Sequence, residues 1–160
     1  MITQLPITTN AANKRDVRSQ FAALCYRVNK KGNPKILLVT SRGTGRWVLP
    51  KGWPMDGRTP AASAAQEAWE EAGVHGDPGD QCLGLYSYKK WLDRAVPLPI
   101  IVMVYPLAVT KLVDEFPEQD QRVRQWFSPA KAAENVQEPE LAQILQEFHP
   151  SLLQRASHCT

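Results

Sequence analysis

Residues 49–74 read LPKGWPMDGRTPAASAAQEAWEEAGV, a loop punctuated by Pro50, Gly52, Pro54, Gly57 and Pro60 that runs into an Ala-rich segment. Thr59 followed by Pro60 marks a helix start: a hydroxyl N-cap, then proline at the first helical position, where no N–H is needed. Gly73 is the matching stop. Ala61, Ala64, Ala65, Ala68 and Ala72 recur at helical spacing and predict a helix over 60–72. Its small apolar stripe lets the backbone pack closely against a sheet. Glu67, Glu70 and Glu71 stand at i, i+3 and i+4 and therefore share a face. Like charges there repel, so the arrangement points to a cation that offsets them. A hard divalent metal, which prefers oxygen ligands, fits that need.

On either side of this stretch the pattern is that of strands. Residues 20–28 (QFAALCYRV) and 35–41 (KILLVTS) predict two strands joined by the NKKGNP turn at 29–34. A short strand is expected at 47–49. After the helix, 74–80 reads as a Gly/Asp/Pro loop, and 83–91 and 98–109 as two longer strands. Another short strand is expected at 122–127. Ser128 can cap a short helix over 129–135, and 139–153 reads as a final amphipathic helix with Leu141, Ile144, Leu145, Phe148 and Leu152 on one side. This order of strands, helix, strands and helices predicts an α+β fold, an α/β/α sandwich around a mixed sheet.

Composition sets the outer limits. With 160 residues, 43% apolar and 22% charged, the chain suits one globular domain with a sizeable core. We expect a loose arm over 1–17, one domain over 18–155 and a short tail over 156–160. The net charge of +3 suits a small anionic substrate and gives no reason to expect nucleic acid. Cys25, Cys82 and Cys159 are dispersed without CxxC spacing, which argues against a disulfide framework or a zinc site and for a reducing, cytoplasmic setting. The N-terminal residues carry no signal-peptide pattern. The longest apolar run, 95–109, is short for a membrane span and is broken by three prolines, so no membrane association is expected.

A carboxylate triad on a rigid helix can hold Mg²⁺ or Mn²⁺, which keep waters and share the rest of their shell with substrate phosphates. Such a cation neutralises developing charge and acidifies a bound water, whose proton a remaining glutamate can take. Phosphoryl chemistry needs little else.

The segment resembles the signature of the Nudix hydrolases, G-x5-E-x7-R-E-U-x-E-E-x-G-U, where U is a bulky aliphatic residue. Gly52, Glu67, Glu70, Glu71, Gly73 and Val74 fall on it without a gap, with Ala68 at the first U. The strand at 35–41, the approach Arg46-Trp47-Val48-Leu49-Pro50 and the Trp126-Phe127 strand end are similar to the family as well. Over residues 20–136 the chain is most similar to the diphosphoinositol polyphosphate phosphohydrolase-like branch, through Tyr26-Arg27, Ser41-Arg42 and Arg46-Trp47.

The resemblance implies a Nudix fold and a metal-dependent hydrolase that cleaves a phosphoanhydride bond. The substrate would be a nucleoside diphosphate derivative, a dinucleoside polyphosphate or a diphosphoinositol polyphosphate. It implies that Glu67, Glu70 and Glu71, with the Gly52 carbonyl, supply most of the metal shell, and that Glu70 and Glu71 are catalytic, with the base unassigned among the carboxylates. Glu118 and Asp120 are distal acids that could contribute. Arg27, Arg42, Arg46 and Lys51 are candidate phosphate ligands, and Trp53 a candidate wall of the cleft. Lys89 and Lys90 read as surface residues, and Trp47 and Trp69 as packing residues.

Two signature positions depart: Arg58 replaces the first glutamate and Gln66 replaces the arginine. In the family these two are usually a charge pair that braces the loop against the helix. We expect Arg58 to reach the helix and brace one of its glutamates, with Gln66 hydrogen-bonding nearby. The altered pair also leaves room for a non-catalytic sensor of a phosphorylated ligand, and RNA 5′-end pyrophosphohydrolysis is a further alternative. The expected assembly is a monomer or a homodimer.

Overall fold

The computed structural model describes Gln4, Pro6 and residues 18–91 and 97–153. The rest of the expected arm and the tail lie outside the described residues.

Strand β1 (Ser19–Val28) is the spine of the fold. Its residues are buried on both faces, as a central strand requires: Phe21, Ala23 and Cys25 join one core, Ala22 and Leu24 the other. It pairs antiparallel with β2 (Pro34–Thr40) and parallel with β7 (Leu98–Leu112), from Ser19 opposite Ile101 to Tyr26 opposite Ala108. β2 also carries β3 (Trp47–Val48) and β8 (Arg124–Phe127). β4 (Lys51–Gly52) pairs with β1 opposite Phe21 and Ala22. β5 (Val74–Pro78) and β6 (Gly84–Lys90) both pair with β7. One parallel pairing among antiparallel ones makes the sheet mixed, as expected.

Helix α1 (Pro60–Ala72) covers one face, and α2 (Pro129–Asn135) and α3 (Pro139–Glu147) cover the other. The first core is built from Ala61, Ala64, Ala68 and Ala72 of α1 against Phe21, Leu37, Val39 and Tyr105 of the sheet. Methyl-sized side chains on the helix bring its axis close to the strands. The second core packs Leu141 and Leu145 of α3 against Leu24, Leu38, Ile100 and Val102. The result is the α/β/α sandwich.

Two expectations are corrected. Residues 74–78 form strand β5, not a loop, with a register shift between His75 and Gly76. Gly and Pro are tolerated there because β5 ends the strand order, and a Cβ at Gly76 would meet the Ala108 carbonyl. The last helix stops at Glu147, not near 153. Pro150 cannot continue an α-helix, and the chain turns at Phe148 into a short 3₁₀ turn at Pro150–Leu152. Leu152 is consequently 46% exposed, whereas Phe148 still packs on Tyr26 with ring centroids 5.0 Å apart. Among the described residues no helix is long and apolar enough to cross a membrane.

Candidate active site

The loop of residues 53–59 and helix α1 are fixed to each other at several points. Thr59 caps α1 by accepting the Ala62 N–H at 3.1 Å, and Pro60 takes the first helical position. The Ser63 hydroxyl accepts the Met55 N–H, and the Met55 carbonyl accepts the Arg58 N–H across a turn in which Gly57 has φ +76°. At the other end Gly73 is left-handed, with φ 66°. Arg124 donates to the Ala72 and Val113 carbonyls at 2.6 and 2.7 Å, holding the 113–121 loop on the helix end. The Glu118 N–H reaches the Glu70 carbonyl at 2.9 Å, which docks that loop further.

This framework lines one cavity of about 830 Å³. Glu67, Glu70 and Glu71 of α1 line it together with Glu118. Cations reach it from the β2–β3 loop (Arg42, Arg46), from β4 (Lys51), from β6 (Lys89, Lys90) and from Arg122. Trp53, Tyr88 and Gln20 also line it.

Each helix carboxylate has its own surroundings. Glu67 sits against the backbone of β4 so closely that a Cβ at Gly52 would collide with its carboxylate. Burial, then the charges of Glu71, Glu70 and Glu118, push the Glu67 carboxyl up to about 8. Glu71 is buried; its Oε2 accepts the Lys51 N–H at 3.2 Å, and its Oε1 lies 3.3 Å from Arg122 Nη2. Burial outweighs Arg122 and Lys51 and raises its carboxyl to about 7. Glu70 accepts a hydrogen bond from Gln66 Nε2 at 3.2 Å.

A divalent cation fits the chemistry of this set. The donors are carboxylates on one helix face beside the backbone of a glycine that admits no side chain; burial raises the carboxyls of Glu67 and Glu71, and at Glu67 the charges of Glu71 and Glu70 add to it. A cation would relieve that state. Among the described residues no three acids, histidines or cysteines already stand as a closed ligand cluster.

The other sequence candidates divide. Arg42, Arg46, Lys51 and Trp53 reach the cavity, and so do Lys89 and Lys90, which the sequence alone reads as surface residues. Arg46 is held by Gln137 at 2.7 Å and Glu138 at 3.5 Å. Lys51 lies over the Tyr88 ring at 5.2 Å, and burial lowers its amine to about 8. Tyr88 in turn donates to Gln20 at 2.6 Å. Arg27 does not line the cavity; its guanidinium stacks 4.1 Å from the Trp126 ring. Glu118 lines the cavity and Asp120 does not. Trp47 packs edge-on against Phe127, and Trp69 stacks on His75, as packing residues do.

Arg58 does not touch a glutamate directly. It donates to Gln66 Oε1 at 3.0 Å, and Gln66 in turn donates to Glu70. Sequence reasoning missed Arg122 altogether. It lies in a polar segment, and only folding brings its side chain, 8% exposed, between Glu118, Glu71 and the Thr40 carbonyl.

The fold belongs to the hydrolases of phosphorus-containing acid anhydrides. The NUDIX domain family pattern matches residues 18–151, and the chain belongs to that family. It is 28% identical over 134 residues to rat diphosphoinositol polyphosphate phosphohydrolase 2, covering 82% of this chain and 70% of that protein. It is 29% identical over 134 residues to human diphosphoinositol polyphosphate phosphohydrolase 3-beta, covering 82% and 77%. Its fold is shared with a C. elegans Ap4A hydrolase seen in a binary complex, at TM-score 0.62 and 20% identity, over 85% of this chain and 98% of that one.

Proposed function

We propose that the protein hydrolyses a phosphoanhydride bond in a small, highly anionic substrate, using Mg²⁺ or Mn²⁺. One observation carries this reading. The signature carboxylates Glu67, Glu70 and Glu71 share a single cavity with Arg42, Arg46 and Lys51. Acidic and basic groups gathered in this way suit a metal–polyphosphate complex.

Glu67, Glu70, Glu71 and the Gly52 carbonyl would hold the cation, which when bound supplies Lewis acidity and an acidified water. A helix carboxylate would accept the proton of the attacking water as the anhydride P–O bond breaks and the second phosphate leaves. Arg42 and Arg46 grip phosphate oxygens in forked geometry, and Lys51 adds a point charge. Trp53 closes one wall against bulk water.

The substrate is a nucleoside diphosphate derivative, a dinucleoside polyphosphate or a diphosphoinositol polyphosphate. The names of the similar proteins support the last two. The free thiols Cys25 and Cys82 support a reducing, cytoplasmic setting. The test is a phosphate-release screen with Mg²⁺ and Mn²⁺ over dinucleoside polyphosphates, sugar nucleotides, ADP-ribose and inositol pyrophosphates. Metal-dependent release from one of these classes is expected. No release from any of them would overturn the reading.

A further inference from the structure

The two replaced signature residues form a chain of hydrogen bonds that ends on a helix carboxylate. Arg58 Nη1 donates to Gln66 Oε1 at 3.0 Å, and Gln66 Nε2 donates to Glu70 Oε1 at 3.2 Å. A guanidinium can only donate, so Gln66 must turn its oxygen toward Arg58. The amide is planar, so its nitrogen then faces Glu70, the residue one helical turn onward. Without Arg58 the amide could present either end. An oxygen turned toward Glu70 would repel the carboxylate.

The relay has a second consequence. Arg58 is separated from Glu70 by a neutral amide, so no fixed positive charge sits on that carboxylate. A neutral donor fixes one oxygen and leaves the anionic charge available.

We propose that Arg58 is a positioning residue that sets the Glu70 carboxylate for cation binding through Gln66. Arg58 and Gln66 act in series, as an outer shell of the metal site. The proposal rests on the reading of Glu70 as a metal ligand.

The experiment is Mn²⁺ binding measured by electron paramagnetic resonance, with turnover measured in parallel. The proteins are wild type, Arg58→Ala, Gln66→Leu, the double variant, Arg58→Lys and Glu70→Gln. Arg58→Ala and Gln66→Leu should each weaken Mn²⁺ binding about tenfold, the lower end for outer-shell partners of a metal ligand. The double variant should be no weaker than either single one, because the two residues lie on one path. Arg58→Lys, which still only donates, should restore most of the affinity. Unchanged Mn²⁺ affinity in Arg58→Ala, or losses that multiply in the double variant, would overturn the relay. Failure of the underlying reading looks different: Glu70→Gln would then bind Mn²⁺ as tightly as wild type.

Discussion

Arg122 Nη2 lies 3.3 Å from Glu71 Oε1, and both side chains are only 8% exposed. The same guanidinium donates to Glu118 at 3.1 Å and to the Thr40 carbonyl at 3.0 Å. One buried cation thus ties helix α1, the 113–121 loop and the end of β2 together. Breaking such a pair from one side leaves an uncompensated buried charge. Arg122→Ala should therefore lose about 3–5 kcal/mol of stability, which urea denaturation at neutral pH would read. Arg122→Lys should lose less, since it keeps the charge but not the fork.

Gly52, at the end of β4, and Gly57, in the loop that follows it, should respond differently to alanine. A Cβ at Gly52 would run into the Glu67 carboxylate, so Gly52→Ala must displace that side chain and should sharply reduce turnover. At Gly57 a Cβ meets nothing within 4 Å, and only the φ of +76° resists it. Gly57→Ala should lower stability by about 1 kcal/mol while the assembled site keeps most of its activity. Thermal melts and kinetics on both variants make the comparison.

Proton uptake sets the pH dependence of the metal-free protein. The carboxyls of Glu67 and Glu71 rise from an ordinary 4.5 to about 8 and about 7. Between those values the folded state binds more protons than the unfolded chain, so stability falls as pH rises. Their contribution is complete below about pH 4.5 and is lost by about pH 8. Lys51, lowered from 10.5 to about 8, acts in the opposite sense above that pH. Melting temperatures in chelator should therefore decline from pH 5 to 8. Added Mg²⁺ should raise them more at pH 8 than at pH 5.

The cationic residues should separate by position. Arg46 and Lys51 line the cavity, and Arg46 is held there by Gln137 and Glu138. Arg46→Ala and Lys51→Ala should raise KM. Arg27→Ala, whose parent side chain lies over Trp126, should leave kcat and KM near wild type.

The helix that carries the site was legible because its signals are local. Thr59, Pro60 and Gly73 mark its ends, and the structure places α1 at the same residues. Strand β1 was legible in the same way, as the apolar run at 20–28. What failed was local sequence overridden by pairing: Gly76 and Pro78 read as a loop, yet β7 offers them a partner strand. At the final helix, Pro150 was a visible stop that the apolar pattern outweighed. Within the site, the i, i+3, i+4 glutamates were legible because spacing fixes a helix face. The Arg58–Gln66–Glu70 path was half legible: the brace was expected, its passage through an amide was not. Arg122 was not legible at all. Its partner Glu71 lies 51 positions away, and nothing in the intervening sequence records the contact.

The central claim is that the α1 carboxylates make this chain a metal-dependent phosphoanhydride hydrolase. Its most direct test is metal-dependent phosphate release by wild type against Glu67→Gln, Glu70→Gln and Glu71→Gln on the substrate class that turns over best. Turnover should vanish in chelator, return with Mg²⁺ or Mn²⁺, and fall at least about a hundredfold in each variant. Turnover that persists in chelator, or survives all three substitutions, would contradict it.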